Sequence, residues 1–222
     1  MCDVLGSQSA LFNYLFKECC ETNINVNLTE KPMVSLPGTA HWVKVNTRYD
    51  EFEGKRKYKI ALSFDAENEA KMKKICDDLL ESAKNNDKFD GKKWSADATC
   101  GYKEQEDGKL YFFFQTNAFF TDRQTGEEVQ KVIPVVDTVR RVQLDKDVAI
   151  GDGSTVRVLY QPSAYYASAR ANGINLYIVK LAVDKLIEYK GGAADFSEFG
   201  IELDDKKDAT SDFDVADEEV PI

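Results

Sequence analysis

The sequence predicts a mainly β fold, a small Greek-key barrel of five to six strands with one helix inserted after the second strand. Three observations carry this. Apolar and polar residues alternate in several short runs, the period of half-buried strands. Only one stretch inside the body, Ala66 to about Lys84, places apolar residues at helical spacing: Met72, Ile75, Cys76, Leu79 and Leu80 share one stripe. Glycine-bearing turn signals, Gly151-Asp152-Gly153 and Asn172-Gly173, separate the later runs.

The elements follow in order. Residues 1–36 read as an N-terminal extension, with a short helix through Ser9–Glu21 and Ser9 as its N-cap. The folded body spans 37–192. Ala40–Tyr49 alternates as a strand, with Val43 and Val45 on one face and Trp42, Lys44 and Arg48 on the other. Lys57–Phe64 alternates more cleanly, Tyr58, Ile60, Leu62 and Phe64 inward against Lys57, Lys59 and Ser63 outward. Asp65 is placed to cap the helix. Lys109–Phe120 is a long aromatic strand, with Leu110, Phe112, Phe114, Ala118 and Phe120 facing the core. After the polar turn Thr121–Gly126, Glu128–Val136 returns as a hairpin strand, and Pro134 marks it as an edge or bulge. Gly151-Asp152-Gly153 leads into Thr155–Tyr160, Tyr165-Tyr166 and Arg170 read as loop-like, and Asn172-Gly173 precedes a strand from Ile174 to about Ile187. Gly191-Gly192 closes the body, and 193–222 is expected to be a flexible acidic tail.

Composition narrows the function. Of 222 residues 43% are apolar, so a packed core is within reach and global disorder is not expected. The formal charge is −10, and its placement matters more than its size. Residues 195–222 hold 11 of the 39 acids and two of the 29 basic residues, a net of −9, which leaves −1 for the other 194 residues. A near-neutral body with one acidic terminal block reads as a domain plus a solvated interaction tail.

Five cysteines (Cys2, Cys19, Cys20, Cys76, Cys100) form no C-x-x-C pair, and His41 is the only histidine. No zinc site is expected, nor any metal or cofactor. No Ser-His-Asp set, G-x-S-x-G elbow or phosphate-cradling loop is present, so the chain does not read as an enzyme. No apolar run approaches the roughly 18 residues a membrane span requires. Met1–Ser9 carries no basic residue, so no export signal is expected either.

The informative residues lie on the outward faces. In Lys109–Phe120 these are Tyr111, Phe113, Gln115 and Asn117, an unusual solvent face that would suit base stacking. Trp42 shares its face with Lys44 and Arg48. Basic groups track phosphates while rings stack on bases, each stacked base contributing about 1–3 kcal/mol with little sequence preference. The candidate binding residues are Trp42, Tyr111, Phe113 and Tyr165 for stacking, with Gln115 beside them, and Lys44, Arg48, Lys57, Lys59 and Arg157 for phosphates.

The order of segments resembles the replicative single-stranded DNA-binding proteins of short-tailed bacteriophages. The similar stretches are Leu36-Pro37-Gly38-Thr39-Ala40, Tyr58-Lys59-Ile60, Phe112-Phe113-Phe114, Val135-Val136-Asp137, Ile150-Gly151-Asp152-Gly153-Ser154 and Tyr160–Tyr165. The Gly191-Gly192 exit into an acidic tail completes them.

The resemblance implies an OB-fold, non-specific binding of single-stranded DNA in phage replication, recombination and repair, and a homodimer in the cytoplasm of the infected bacterial host. It also implies a tail that contacts the phage DNA polymerase and helicase-primase. Tyr111, Phe113 and Gln115 fall on the strand that binds DNA in that family, and Tyr165 matches a tyrosine of its binding surface. Phe113 stands where relatives carry a lysine, which favours stacking there. The last residue is Ile222 rather than a phenylalanine, but Asp217-Glu218-Glu219-Val220-Pro221-Ile222 is similar to the acidic, proline-containing tips of bacterial single-stranded DNA-binding proteins. The tail is expected to mimic the DNA backbone, occupying the basic groove until DNA displaces it. Two alternatives remain at this point: an acidic interaction protein that mimics DNA, and an OB module that prefers RNA.

Overall fold

The computed structural model describes residues 23–189; the expected Ser9–Glu21 helix and the acidic tail lie outside them. Thirteen strands and one α-helix occur in chain order among these residues. They are β1 (Ile24–Asn27), β2 (Met33–Val34), β3 (Gly38–Lys44), β4 (Asp50–Phe52), β5 (Lys55–Ser63), α1 (Ala66–Lys84), β6 (Tyr102–Glu104), β7 (Leu110–Asn117), β8 (Phe119–Thr121), β9 (Glu128–Gln130), β10 (Val135–Asp137), β11 (Val142–Gln143), β12 (Thr155–Ser168) and β13 (Ala171–Lys185).

Five of these strands close on themselves. β12 pairs with β3, β3 with β5, β5 with β7, β7 with β13, and β13 returns to β12; only β7–β13 is parallel. The other strands are short and decorate this ring. β1 and β2 lie along β12, β4 on β5, β6 on β7, and β10 with β11 beyond β13, while β8 and β9 form a hairpin of their own. The expected count of five to six strands is therefore corrected to thirteen. Most of the additional strands have only two or three residues, too few for an alternating pattern to register. β1 and β2 come from the stretch read as extension, and they cover the outer edge of β12.

Alternation explains why the ring holds together. Tyr58, Ile60 and Leu62 of β5, Phe112 and Phe114 of β7, Val156, Val158 and Tyr160 of β12, and Ile174, Leu176 and Ile178 of β13 are buried. Full burial of one large apolar side chain contributes about 1.5–3 kcal/mol, so the inward faces of the long strands hold the ring together and leave its outer face to other uses. α1 begins as expected: Asp65 Oδ1 accepts the Asn68 N–H at 2.9 Å. Met72, Cys76, Leu79 and Ala83 form its buried stripe, against β12 and β13, with Ile75 and Leu80 at the margin. Burial pushes the Cys76 thiol up to about 12, so it acts as a small apolar group.

Three further expectations are corrected. Tyr165 and Tyr166 lie within β12, not in a loop. The hairpin joining β12 to β13 turns at Ala169–Arg170, and Asn172-Gly173 lies inside β13. Gly173 is required for a different reason: a Cβ there would stand 2.3 Å from Thr99 O and 2.5 Å from Thr99 N, because the 96–101 loop presses onto the strand. Phe120 is exposed rather than in the core, because the regular strand ends at Asn117 and the β8–β9 hairpin departs from the sheet.

Candidate nucleic-acid interface

Side chains that the core does not use gather on the outer face of β5 and β7. In register, Lys59 lies opposite Gln115 and Lys57 opposite Asn117, and Tyr177 of β13 follows beside Gln115. β3 borders this face and carries a bulge: its register passes from His41↔Ala61 to Lys44↔Lys59 with one residue extra. Trp42 takes up the irregularity at φ +50°, a left-handed conformation rare for a bulky residue. Asp152 Oδ1 secures it by accepting the Val43 N–H at 3.1 Å.

An aromatic shelf results. The Trp42 ring lies 4.9 Å from Tyr111 and is parallel to Phe113 within 4°, at 6.3 Å between centroids. His41 meets Tyr111 edge-on at 5.0 Å. Trp42 is 50% exposed and Phe113 37%, while Tyr111 is only 7% exposed and forms the floor beneath them. Burial lowers the His41 pKa below its usual 6.5, which favours the neutral ring. Its Nε2 lies 2.8 Å from Ser63 Oγ. No carboxylate is hydrogen-bonded to the ring among the described residues, so the contact fixes the ring and lacks the orienting acid of a nucleophilic triad.

Beside the shelf, three clefts of about 460, 470 and 650 Å³ adjoin. Lys57 lines the first two, and Gln115 and Asn175 line the first and third, so they make one groove. Of the lysines lining it, Lys57 and Lys131 carry the most telling electrostatics. Both are partly buried and, among the described residues, neither has a carboxylate within ion-pair distance. Lys57 Nζ reaches only Gln115 Oε1 at 3.4 Å, and Lys131 Nζ donates to Thr116 Oγ1 at 2.9 Å. Burial pushes both below the usual lysine pKa, and Lys59 and Lys55 add to the effect at Lys57. A half-buried cation without a counter-ion costs free energy, and perturbed groups in a cleft mark a candidate functional site.

Two hairpins flank the groove. Between β4 and β5 the chain turns at Glu53 and Gly54 with φ of +50° and +73°, the pattern of a type I′ hairpin, and presents Phe52 at 70% exposure. The β8–β9 hairpin is tied to it by Arg56, which donates to Glu128 and lies 3.8 Å over the Phe119 ring. Among the described residues no cluster of His, Cys, Asp and Glu could hold a metal. The surface is suited to a chain of flat rings and negative charges.

No protein-family model and no curated protein matches the sequence. Solved structures do match. The single-stranded DNA-binding protein gp2.5 of bacteriophage T7 aligns over 82% of this chain and 100% of its own, with a TM-score of 0.58 and 20% identity. The chain has the fold of a phage single-stranded DNA-binding protein. The corresponding protein of bacteriophage Enc34, in complex with single-stranded DNA, aligns over 78% of this chain and 91% of its own, with a TM-score of 0.50 and 16% identity.

The structure unites part of the residue set expected from sequence. Trp42, Tyr111, Phe113, Gln115, Lys57 and Lys59 share the face just described. Lys44 adjoins it, with its ammonium on Asp50. Arg48 is engaged elsewhere, donating to Val43 O at 2.7 Å and stacking 3.7 Å over Tyr189. Arg157 forms a two-pronged ion pair with Asp184 at 2.7 and 2.9 Å, and Thr138 donates to the same carboxylate. Tyr165 does not line the three clefts; its hydroxyl lies 2.9 Å from Thr99 Oγ1 on the 96–101 loop. Sequence reasoning missed Phe52, Lys131, Asn175, Tyr177 and the 96–101 loop. Of these only Phe52 left a signal, an apolar residue beside a Glu-Gly turn.

Proposed function

We propose that this chain binds single-stranded DNA without sequence preference, along the groove over β5, β7 and β13. Trp42 and Phe113 stack on bases while Lys57 and Lys131 take phosphates. The observation that carries this is the pairing of an exposed aromatic shelf with half-buried lysines that have no counter-ion among the described residues. The fold it shares with the T7 and Enc34 proteins supports the same reading. The five-strand ring serves as an OB-type barrel, and Tyr111 supports Trp42 from beneath.

The wider role belongs to the same proposal. The chain acts, without catalysis, in phage DNA replication, recombination and repair in the cytoplasm of the infected host, as a homodimer. Its tail, net −9 over 195–222, competes with DNA for the lysines. When displaced, Asp217-Glu218-Glu219-Val220-Pro221-Ile222 is offered to the phage polymerase and helicase-primase.

The test is a titration of fluorescent poly-dT with the full chain and with a version ending at Ala194, each at two salt concentrations. The proposal expects both to bind, the shortened one more tightly at low salt, with log affinity falling by about 0.7 per phosphate contacted for each tenfold rise in salt. Absence of binding by both forms overturns it in favour of an acidic interaction protein. A matched RNA oligomer that binds more tightly than the DNA assigns the groove to RNA, since stacking alone does not sense the 2′-hydroxyl.

A further inference from the structure

Not every lysine at the groove is available to a ligand. Lys44, the last residue of β3, and Lys59 of β5 lie directly opposite each other across the strand pair. Like charges in that position repel, yet here both ammonium groups converge on one carboxylate. Lys44 Nζ donates to Asp50 Oδ1 at 2.7 Å and Lys59 Nζ donates to Asp50 Oδ2. Asp50 opens β4, and with Lys59 and Lys57 it lines the cleft beneath the β4–β5 hairpin.

The arrangement has the shape of a ligand site. One anionic group presents two oxygens, and each takes one ammonium. A phosphodiester offers the same two non-bridging oxygens and forms the same charge-assisted hydrogen bonds. All three side chains reach solvent, so the internal ion pairs are of the exposed kind, worth little net stability. Exchanging one anion for another there is close to neutral.

We infer that Lys44 and Lys59 form a phosphate position of the DNA path that Asp50 occupies in the free protein and yields when a phosphodiester arrives. The inference rests on the reading of the groove as a single-stranded DNA site. Lys57 and Lys131 have no carboxylate partner among the described residues, whereas the Lys44–Lys59 position is filled from within the fold, so the two parts of the groove respond differently to salt. The occupant is not operated by pH in the ordinary range. Hydrogen bonds from Lys44 and then Lys59 hold the Asp50 carboxyl at about 2, so it stays ionised above that. Competing anions operate it instead.

Asp50→Asn in the full chain tests this, because it keeps the size of the side chain and removes its charge. Thermal unfolding first confirms that the variant is folded. Titration with fluorescent poly-dT over a salt series is then expected to show affinity raised up to about fivefold at low salt. The salt slope should steepen by up to about 0.7, one phosphate's worth. Glu53→Gln, on the same hairpin but touching neither lysine, should move both quantities less. In a Lys44→Gln, Lys59→Gln background, Asp50→Asn should change nothing. Unchanged or weaker binding by Asp50→Asn overturns the inference and makes Asp50 a brace for the two lysines. An equal gain in Glu53→Gln, or a gain that survives in the lysine-free background, overturns it in favour of general charge. If the unaltered chain does not bind poly-dT, the DNA reading itself fails, and that result is distinct from these.

Discussion

Replacing Phe113 by alanine separates stacking from charge in the groove. Phe113 is 37% exposed, with its ring parallel to Trp42 at 6.3 Å, so its open face is where a base has room to lie. One stacked base contributes about 1–3 kcal/mol, and at about 1.4 kcal/mol per tenfold this is a loss of affinity between about fivefold and 150-fold. The ring carries no charge, so the slope of log affinity against log salt should not change. The covered part of the ring is also lost. Full burial of a phenylalanine contributes about 1.5–3 kcal/mol, and roughly two-thirds of this ring is covered, so the fold should lose about 1–2 kcal/mol. Phe113→Leu restores most of that apolar cover without a π-face. The assay is poly-dT titration at three salt concentrations beside urea unfolding of each variant. The reasoning is refuted if the alanine variant binds as the original does, or if the leucine variant regains affinity along with stability.

Four further outcomes follow from the same geometry. Lys57→Met and Lys131→Met should each weaken poly-dT binding and flatten the salt slope by about 0.7, yet leave the fold as stable or raise it by about 0.5 kcal/mol, since each removes an uncompensated half-buried cation. Because burial lowers both lysine pKa values, their charge is lost on raising pH before the ordinary lysine value of about 10.4. Affinity measured between pH 7 and 10 should therefore fall earlier than for an exposed lysine site. Gly173→Ala, which brings a Cβ to 2.3 Å from Thr99 O at a φ of +148°, should cost about 1–3 kcal/mol in urea unfolding and weaken binding by lifting the 96–101 loop. Arg157→Met should leave affinity and salt slope unchanged, because that guanidinium pairs with Asp184 and lines none of the three clefts; a flatter slope would place it on the DNA path.

The sequence was most legible where one face of an element meets the core. The inward residues of Lys57–Phe64 and most of those of Lys109–Phe120 and of the α1 stripe carry over, because burial decides which side chains point inward; Tyr111, expected outward, is covered by the Trp42 ring, and Phe120, expected inward, is exposed. The shelf was legible only in part. Trp42 stands outward because a bulge held by Asp152, 109 residues away in sequence, turns it there, and no local pattern encodes that support. Gly173 shows why one signal misleads: a glycine that opens a turn and a glycine that admits a neighbouring backbone look the same in sequence. The cations show a similar limit. Lys57, Arg48 and Arg157 all read as cations in the sequence, and only the fold reveals that the arginines are engaged while Lys57 has no counter-ion among the described residues.

Intrinsic fluorescence tests the central claim most directly, because the chain has just two tryptophans and they lie in different places. Trp42 is on the shelf, whereas Trp94 packs against Phe89 and Tyr166, its indole nitrogen buried without a partner among the described residues. In a Trp94→Phe variant all indole emission comes from Trp42. If bases stack on the shelf, adding poly-dT quenches that emission in step with binding, and raising salt restores it. If poly-dT binds while the emission of Trp42 stays unchanged, the DNA path lies elsewhere and the account of this groove is wrong.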